Sequence, residues 1–578
     1  MRVCNTVSVA ALALAGLAAI APLPAFAQTA SQVTQPSYAP AVTRPAQGGL
    51  NLPARPGPTA PAGANTLYVT PSGLVVEGQL PGLQAATAKI AASIKNKRVS
   101  GAELFAAAQA LEAAYVKAGY LLARVTLPPQ TIKNGMALKL IVTHGYVERI
   151  DASAFDGTAR RRIEAVLHPL VGDKVLTRHE LERRLLLAGD IPGVLLKSTL
   201  KAGKTPGATV IVVDGRYDPV TYSISVDNSL GSDLGRYNVS LGVNANNVLG
   251  LGEVGYLQVG GYPGFNQSVA EHDPRNRQMV AGFTFPLSIN GVWLNMEGVD
   301  SRTHPQSGLS YAMLDHYQRL STKLGYNWLR SRNLNTSTEI GFSIADETQQ
   351  IDLSGSRTNW TKDQLRVLQL TQTADMYTGW GGFLSGNVTA SFGLSGLGAR
   401  HGTTALPMSR SGAKPNFTKL DINSRYSQQL ANNRVQWSVS GKAQTSFGHV
   451  LASSEQFGLG GLDGLSAFGG SALMGDSGAM VRSELSFPLA LPTLASHATL
   501  GSAVSPYVFG AAGLIHLEQA TALEYSTTYA SAVGVGLRVG VSQMDTAHGT
   551  TLTLEYAHGE QSHGAADNRF NLRWSAQF

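Results

Sequence analysis

The chain has 578 residues, a formal net charge of +7 at pH 7, 14% charged residues and 63 glycines. Its basic residues form no dense patch interleaved with aromatics, which argues against a nucleic-acid partner. Beyond the N-terminal stretch no apolar run is long enough for a membrane helix, so a membrane protein made from this chain has to be a closed barrel.

Arg2 followed by the apolar stretch from Val7 to Ile20 and by Ala25-Phe26-Ala27 predicts a signal peptide over 1–27, with a mature start at Gln28. The stretch is short for an anchoring helix and runs into Pro22 and Pro24. The single cysteine, Cys4, lies inside it, so the mature chain is expected to carry no disulfide. Residues 28–65 are rich in Pro, Ala, Gly and Thr and read as a linker that cannot bury a core.

From Thr66 the texture changes. Strands are predicted from Leu67 to Gly78, helices over Ala85–Ile94 and Ala102–Ala118, and strands over Leu121–Leu127 and Met136–Thr143. The second helix places Leu104, Ala108, Leu111 and Tyr115 on one face. A second cycle follows: strand Val147–Ile150, helices Ala159–Leu167 and Arg178–Ala188, and strands Val194–Ala202 and Thr209–Val213. Two small α+β units of order strand, helix, helix, strand, strand therefore fit 66–146 and 147–216.

After Val220 the helical period vanishes and sixteen strands are predicted. They are Val220–Asn228, Arg236–Ala245, Val254–Gly261, Met279–Leu287, Val292–Val299, Tyr317–Leu329, Thr336–Ala345 and Gln364–Gln372. Then come Gly382–Phe392, Asn416–Tyr426, Asn433–Phe447, Ala479–Leu489, Ser505–Leu517, Tyr529–Val541, Thr550–His558 and Asn568–Phe578. Short gaps such as 288–291 alternate with long ones such as 393–415 and 448–478, the pattern of an outer-membrane barrel. The last strand alternates up to Phe578, and a terminal Phe there resembles the assembly signal of bacterial outer-membrane barrels.

Residues 102–150 resemble the POTRA region of two-partner secretion transporters, the TpsB family of haemolysin and filamentous haemagglutinin secretion-activation type. The matching positions are Tyr115, Gly119-Tyr120, Ala123-Arg124, Leu127-Pro128-Pro129-Gln130 and Gly135. LLLAGDIPGV (185–194), Val226-Asp227-Asn228, Gly235-Arg236-Tyr237 and Gly250-Leu251-Gly252-Glu253 match as well. The resemblance implies α+β POTRA domains followed by a 16-stranded antiparallel transmembrane β-barrel at 217–578. It implies a bacterial outer-membrane location with the POTRA domains in the periplasm. It also implies an ATP-free pore for an unfolded secreted partner protein of adhesin, haemolysin or toxin type. Outer-membrane lipid and the barrel-assembly machinery are the other expected partners, with no cofactor and no metal. Family members often hold an N-terminal helix in the barrel; the Pro and Gly content of 28–65 predicts that any plug segment here is irregular.

The gap 448–478 is then the sixth extracellular loop, which in the family folds into the lumen and carries a tip arginine. Here the tip reads Gly464-Leu465-Ser466-Ala467-Phe468, followed by Gly475-Asp476-Ser477-Gly478, with Ser466 at the arginine position. The family's aspartate partner lies in a barrel motif matched by Phe509, Ala511 and Gly513, with Ala511 at the aspartate position. Losing one partner of a buried pair strands a charge, so the double absence reads as concerted. The tip is expected to be held more loosely, by Phe468 and backbone contacts.

Three other strings carry weaker readings. Gly475-Asp476-Ser477-Gly478 spells a serine-protease motif, yet no His precedes it in the required context. Gly250, Gly252 and Gly255 fit G-x-G-x-x-G but fall in a predicted hairpin. The histidines lack metal-ligand spacing, so no enzyme is expected. The alternative to export is a POTRA-barrel factor that inserts other outer-membrane proteins; a passive porin does not explain the two α+β units.

Overall fold

The computed structural model describes residues 28–40, 59–80, 82–205, 207–264, 271–306, 311–491, 500–543 and 546–578. The predicted signal segment 1–27 and residues 41–58 of the linker lie outside the described residues.

The first α+β unit contains β1 (Tyr68–Val69), β2 (Gly73–Glu77), α1 (Gln84–Ile94), β3 (Val99–Ser100), α2 (Gly101–Lys117), β4 (Arg124–Thr126) and β5 (Ala137–Thr143). Its main sheet has the order β2-β5-β4. Leu138, Leu140 and Val142 alternate along β5 and bury one face against Leu104, Leu111 and Tyr115 of α2. α2 begins where Ser100 and Glu103 form a reciprocal capping box, satisfying donors that the first turn leaves free.

The second unit repeats the plan with β6 (Tyr146–Asp151), α3 (Gly157–Leu167), α4 (Arg178–Gly189), β7 (Val194–Ala202) and β8 (Ala208–Tyr217). Its sheet order is β6-β8-β7, around a core that includes Ile163, Leu167, Leu181 and Ile211.

The barrel strands are β9 (Val220–Asp227), β10 (Asn238–Asn246), β11 (Val254–Gly261), β12 (Asn276–Pro286), β13 (Val292–Thr303), β14 (Ala312–Arg330), β15 (Leu334–Leu353), β16 (Ser356–Tyr377), β17 (Gly382–Gly393), β18 (Thr418–Leu430) and β19 (Val435–Thr445). After the short β20 (Phe457–Gly458) and β21 (Met474–Gly475) come β22 (Ser477–Ser486), β23 (Leu489–Ala490), β24 (Leu500–His516), β25 (Thr527–Gln543), β26 (Gly549–Gln561) and β27 (Asp567–Gln577). β23 continues β22 past a break at Phe487-Pro488, where proline has no N–H to give the ladder. Counted so, sixteen antiparallel staves close into one barrel. Each predicted strand overlaps one of them.

Outward positions such as Leu320, Leu324, Ile340, Val388, Ile422, Val508 and Val535 form an exposed apolar belt. Inward positions are polar: Glu297 and Arg319, both inward, pair at 2.8 Å. β15 and β16 run beyond their predicted limits to a two-residue turn at Ser354 (φ 54) and Gly355 (φ 90). The added residues, 346–363, lie past the apolar belt. Neither face there has to be apolar, so the ladder continues while the alternation disappears.

The seam joins β27 to β9 through the register Arg573↔Asp227 to Gln577↔Ser223. Phe578 extends it, exchanging backbone bonds with Tyr222 at 2.9 and 3.0 Å. The Asn228 side chain carries the ladder on: Nδ2 donates to Phe570 O at 2.8 Å and Oδ1 accepts from Leu572 N at 2.9 Å.

Candidate functional site

Two of the described segments that enter the lumen make up the candidate site. The first is the connection between β19 and β22, whose base is the β20–β21 pair. At its tip Leu465 and Ala467 are wholly buried, Ser466 is 1% exposed and Phe468 is 3% exposed. Leu465 N donates to Leu459 O at 2.8 Å and Phe468 N to Leu465 O at 3.0 Å, which fixes a tight turn. A side chain at Gly464 would place its Cβ 2.4 Å from Leu459 O, so glycine permits that closeness.

The wall meets the tip with residues that the sequence reading missed. Arg482 of β22 donates to Ser466 Oγ and to Gly464 O, each at 3.2 Å, and to Glu555 of β26 at 2.6 Å. Its guanidinium lies 3.6 Å from the centroid of the Phe509 ring. Asn571 Nδ2 donates to Ser466 O at 2.9 Å. Arg482 is the cross-strand partner of Ala511. The cation therefore sits on the wall beside the position expected to hold an acid. Gly513 makes room for the loop, since a Cβ there would lie 2.7 Å from Leu459 Cδ2. The expectation of a looser tip held by Phe468 and backbone contacts thus omitted a charged clamp. The available signal was inward Arg482 and Glu484 on one strand, two charges in a lumen-facing row.

The base of the loop has its own anchor. Asp476 is fully buried and accepts both 2.9 Å bonds from Arg410 Nη1, one from Leu451 N at 2.9 Å and one from Glu518 N at 2.8 Å. One carboxylate so ties the loop to its two neighbours on the far mouth. Gly475 and Gly478 flank it where a Cβ would collide with Ile515 and Phe457. Ser477 Oγ bonds to Ser446, while the ring of its cross-strand partner His516 bonds to Thr527. These two do not engage each other.

The second lumenal segment is 28–40. Gln28 Oε1 accepts from Gly231 N at 2.7 Å near the far mouth, and Ala39 packs by Tyr256, Val280 and Val299. Ala30 N donates to Asp315 at 3.1 Å, Ser31 N to Glu347 at 3.1 Å and Tyr38 N to Glu297 at 2.7 Å. A turn at 30–33 is its one piece of regular structure.

The second α+β unit closes on the near mouth. Arg183 of α4 donates to the carbonyls of Asn290, Asn327 and Trp328, and Arg330 grips Asp190 at 2.5 and 2.8 Å. Gly250 (φ 80) and Gly252 (φ 86) shape a barrel turn laid against Thr158 and Arg162 of α3, which gives the G-x-G-x-x-G string a docking role rather than a phosphate cradle. Between this unit and the barrel lies a cavity of about 1360 Å³ lined by Pro40, Asp190, Trp293, Arg330 and Asp375 among others. A further cavity of about 750 Å³ lies in the lumen beside Asn387, Arg425, Lys442, Arg482 and Glu555.

The motif residues of the first unit are structural. Tyr115 is wholly buried and its hydroxyl accepts from Leu80 N at 3.1 Å. Burial raises its pKa. Gly119 (φ 99) turns the chain out of α2, and Tyr120 packs beside Tyr115. Arg124 pairs with Glu112, which also caps Val125 N at 3.0 Å. Pro128 and Pro129 lead to Gln130, whose side-chain amide bonds Lys139 O and N at 2.7 and 3.0 Å, imitating a strand edge.

Comparison with known proteins accounts for this arrangement. A family model described as haemolysin secretion/activation protein ShlB/FhaC/HecB matches residues 207–539, and one described as POTRA domain, ShlB-type, matches 69–145. The chain is 25% identical over 445 residues to the outer membrane transporter CdiB of Escherichia coli, covering 75% of this chain and 71% of that one. It is 24% identical over 443 residues to the heme/hemopexin transporter protein HuxB of Haemophilus influenzae, covering 74% of each. The solved structure of CdiB from Escherichia coli shares the fold, with a TM-score of 0.69 at 20% identity over 92% of this chain and 94% of that one. The chain belongs to the haemolysin secretion/activation family of outer-membrane β-barrel transporters, whose POTRA domains lie in the periplasm.

Proposed function

We propose that this pore exports one large secreted protein, captured unfolded by the POTRA domains and threaded through the lumen past the sixth loop. The observation that carries the reading is a closed barrel whose polar lumen holds internal segments, with the second α+β unit docked over its near mouth. A POTRA sheet edge gives an extended client backbone hydrogen bonds that depend weakly on its sequence. The cargo is an adhesin, haemolysin or toxin; residues 1–27 direct the chain across the inner membrane, and Phe578 addresses it to the barrel-assembly machinery. Deleting the gene and comparing surface and medium proteins tests this. Loss of a single large exoprotein with unchanged outer-membrane barrels supports export; depletion of other barrels would favour an assembly factor instead.

A further inference from the structure

Most hydrogen bonds that hold residues 28–40 in the lumen are made by their backbone, while Ala30 and Ala39 also pack on apolar residues of the wall. The N–H groups of Ala30, Ser31 and Tyr38 go to the carboxylates of Asp315, Glu347 and Glu297. The carbonyls of Ala30, Val33 and Gln35 accept from Ser301 at 3.0 Å, Gln278 at 2.7 Å and Arg319 at 3.0 Å. Side-chain bonds to the wall include those of Gln28 to Gly231, of the Tyr38 hydroxyl to Gln278 at 2.9 Å and of Ser31 to Glu347. Every non-proline residue offers the same N–H and C=O, so such a wall does not read the sequence of what lies on it.

We propose that the lumen face bearing Asp315, Glu347, Glu297, Gln278, Ser301 and Arg319 is a binding track for extended polypeptide backbone. Residues 28–40 fill it at rest, and a stretch of the exported chain replaces them during transport. The proposal rests on the export reading above and names the site within the pore that export uses.

The burial of the wall's acids supports exchange over simple departure. Glu297 and Glu347 are 1% and 2% exposed and Asp315 is 8% exposed, and emptying the track takes one backbone donor from each of them. An incoming backbone restores those donors, so the swap needs little net free energy and no ATP.

The test is peptide block of single pores in planar bilayers. The open pores are the full chain carrying Ala30→Pro and Ser31→Pro, which removes two of the donors, and a second variant lacking 28–40. Heat-modifiable migration in gels verifies that each barrel is folded. Three synthetic peptides are added from the periplasmic side: residues 28–40, the same composition scrambled, and 28–40 with N-methyl groups at positions 30, 31 and 38. The track predicts larger currents in both variants. It predicts that the native and scrambled peptides block within about twofold of each other, and that N-methylation weakens block by about tenfold or more, since three hydrogen bonds to the wall are lost. Block by the native sequence alone, block insensitive to N-methylation, or no block by any peptide would overturn the proposal. None of those results touches the export reading, which is decided by the exoprotein lost on gene deletion.

Discussion

Arg482 and Ser466 meet at 3.2 Å, a wall arginine donating to the hydroxyl of a loop residue. The same arginine holds Glu555 at 2.6 Å. The ion pair that the family resemblance places between loop and wall is here an ion pair within the wall, and the loop joins it through neutral groups. A buried charge is tolerable only while paired, so moving both charges to one side keeps the balance.

Arg482→Met is expected to strand Glu555, which is 1% exposed, and to free the tip. Breaking such a pair costs about 3–5 kcal/mol. Heat-modifiable gel migration should show a lower unfolding temperature, and single-channel records should show more frequent openings. Adding Glu555→Gln should recover most of the stability without re-anchoring the tip.

Ser466→Arg alone should also destabilise the loop, because the new guanidinium would face Arg482 in a site with 1% exposure. Adding Ala511→Asp, next to Arg482 in register, should restore quiet channels. A single mutant that gates like the parent would show that Ser466 does not lie against Arg482.

Asp476→Asn removes the charge that Arg410 grips and weakens acceptance from Leu451 and Glu518 N–H. A bond to a charged group is worth about 1.5–3 kcal/mol. Limited proteolysis on whole cells should cut the sixth loop faster in the variant, while barrel insertion is unchanged.

Gly559→Val tests packing without charge. A Cβ at Gly559 would lie 2.6 Å from Ala467 Cβ and 2.7 Å from Phe468 Cε2. Overpacking of this kind costs about 1–3 kcal/mol, and displacing Phe468 relieves it. The expected result is a larger mean current from a barrel that still folds.

Arg330→Ala should loosen the second α+β unit from the barrel, because Asp190 loses a two-bond grip. A loss of about one to two kcal/mol corresponds to roughly a 5–30-fold change in an equilibrium. Proteolysis at the junction near residues 217–220 should accelerate by that factor.

The strands were legible where two solvents meet. Leu320, Leu324 and Ile340 alternate with polar neighbours because lipid and water face opposite sides. Beyond the lipid belt the Asp346–Asp363 hairpin has no such contrast, and its ladder left no pattern to read. The loop frame was legible from Gly464, Gly475 and Gly478, whose missing side chains the packing requires. Arg482, Glu555, Asn571 and Arg410 were not. Arg482, Glu555 and Asn571 lie 16, 89 and 105 residues from Ser466 by number, and register, which gathers them near the tip, is settled only when the barrel closes; Arg410 reaches Asp476 at the loop's base from another connection. The contacts of 28–40 were hidden for a related reason: a segment bound through its backbone needs no side-chain signature.

The central claim is that cargo crosses through the lumen and not through the seam between β9 and β27. Photocrosslinking side chains placed at lumenal Asn387 and Ser440, and at Tyr222 and Phe570 beside the seam, test it in living cells. The account predicts high-mass adducts at Asn387 and Ser440, containing the exoprotein that gene deletion removes. Adducts at Tyr222 and Phe570 with none at the lumenal positions would contradict it.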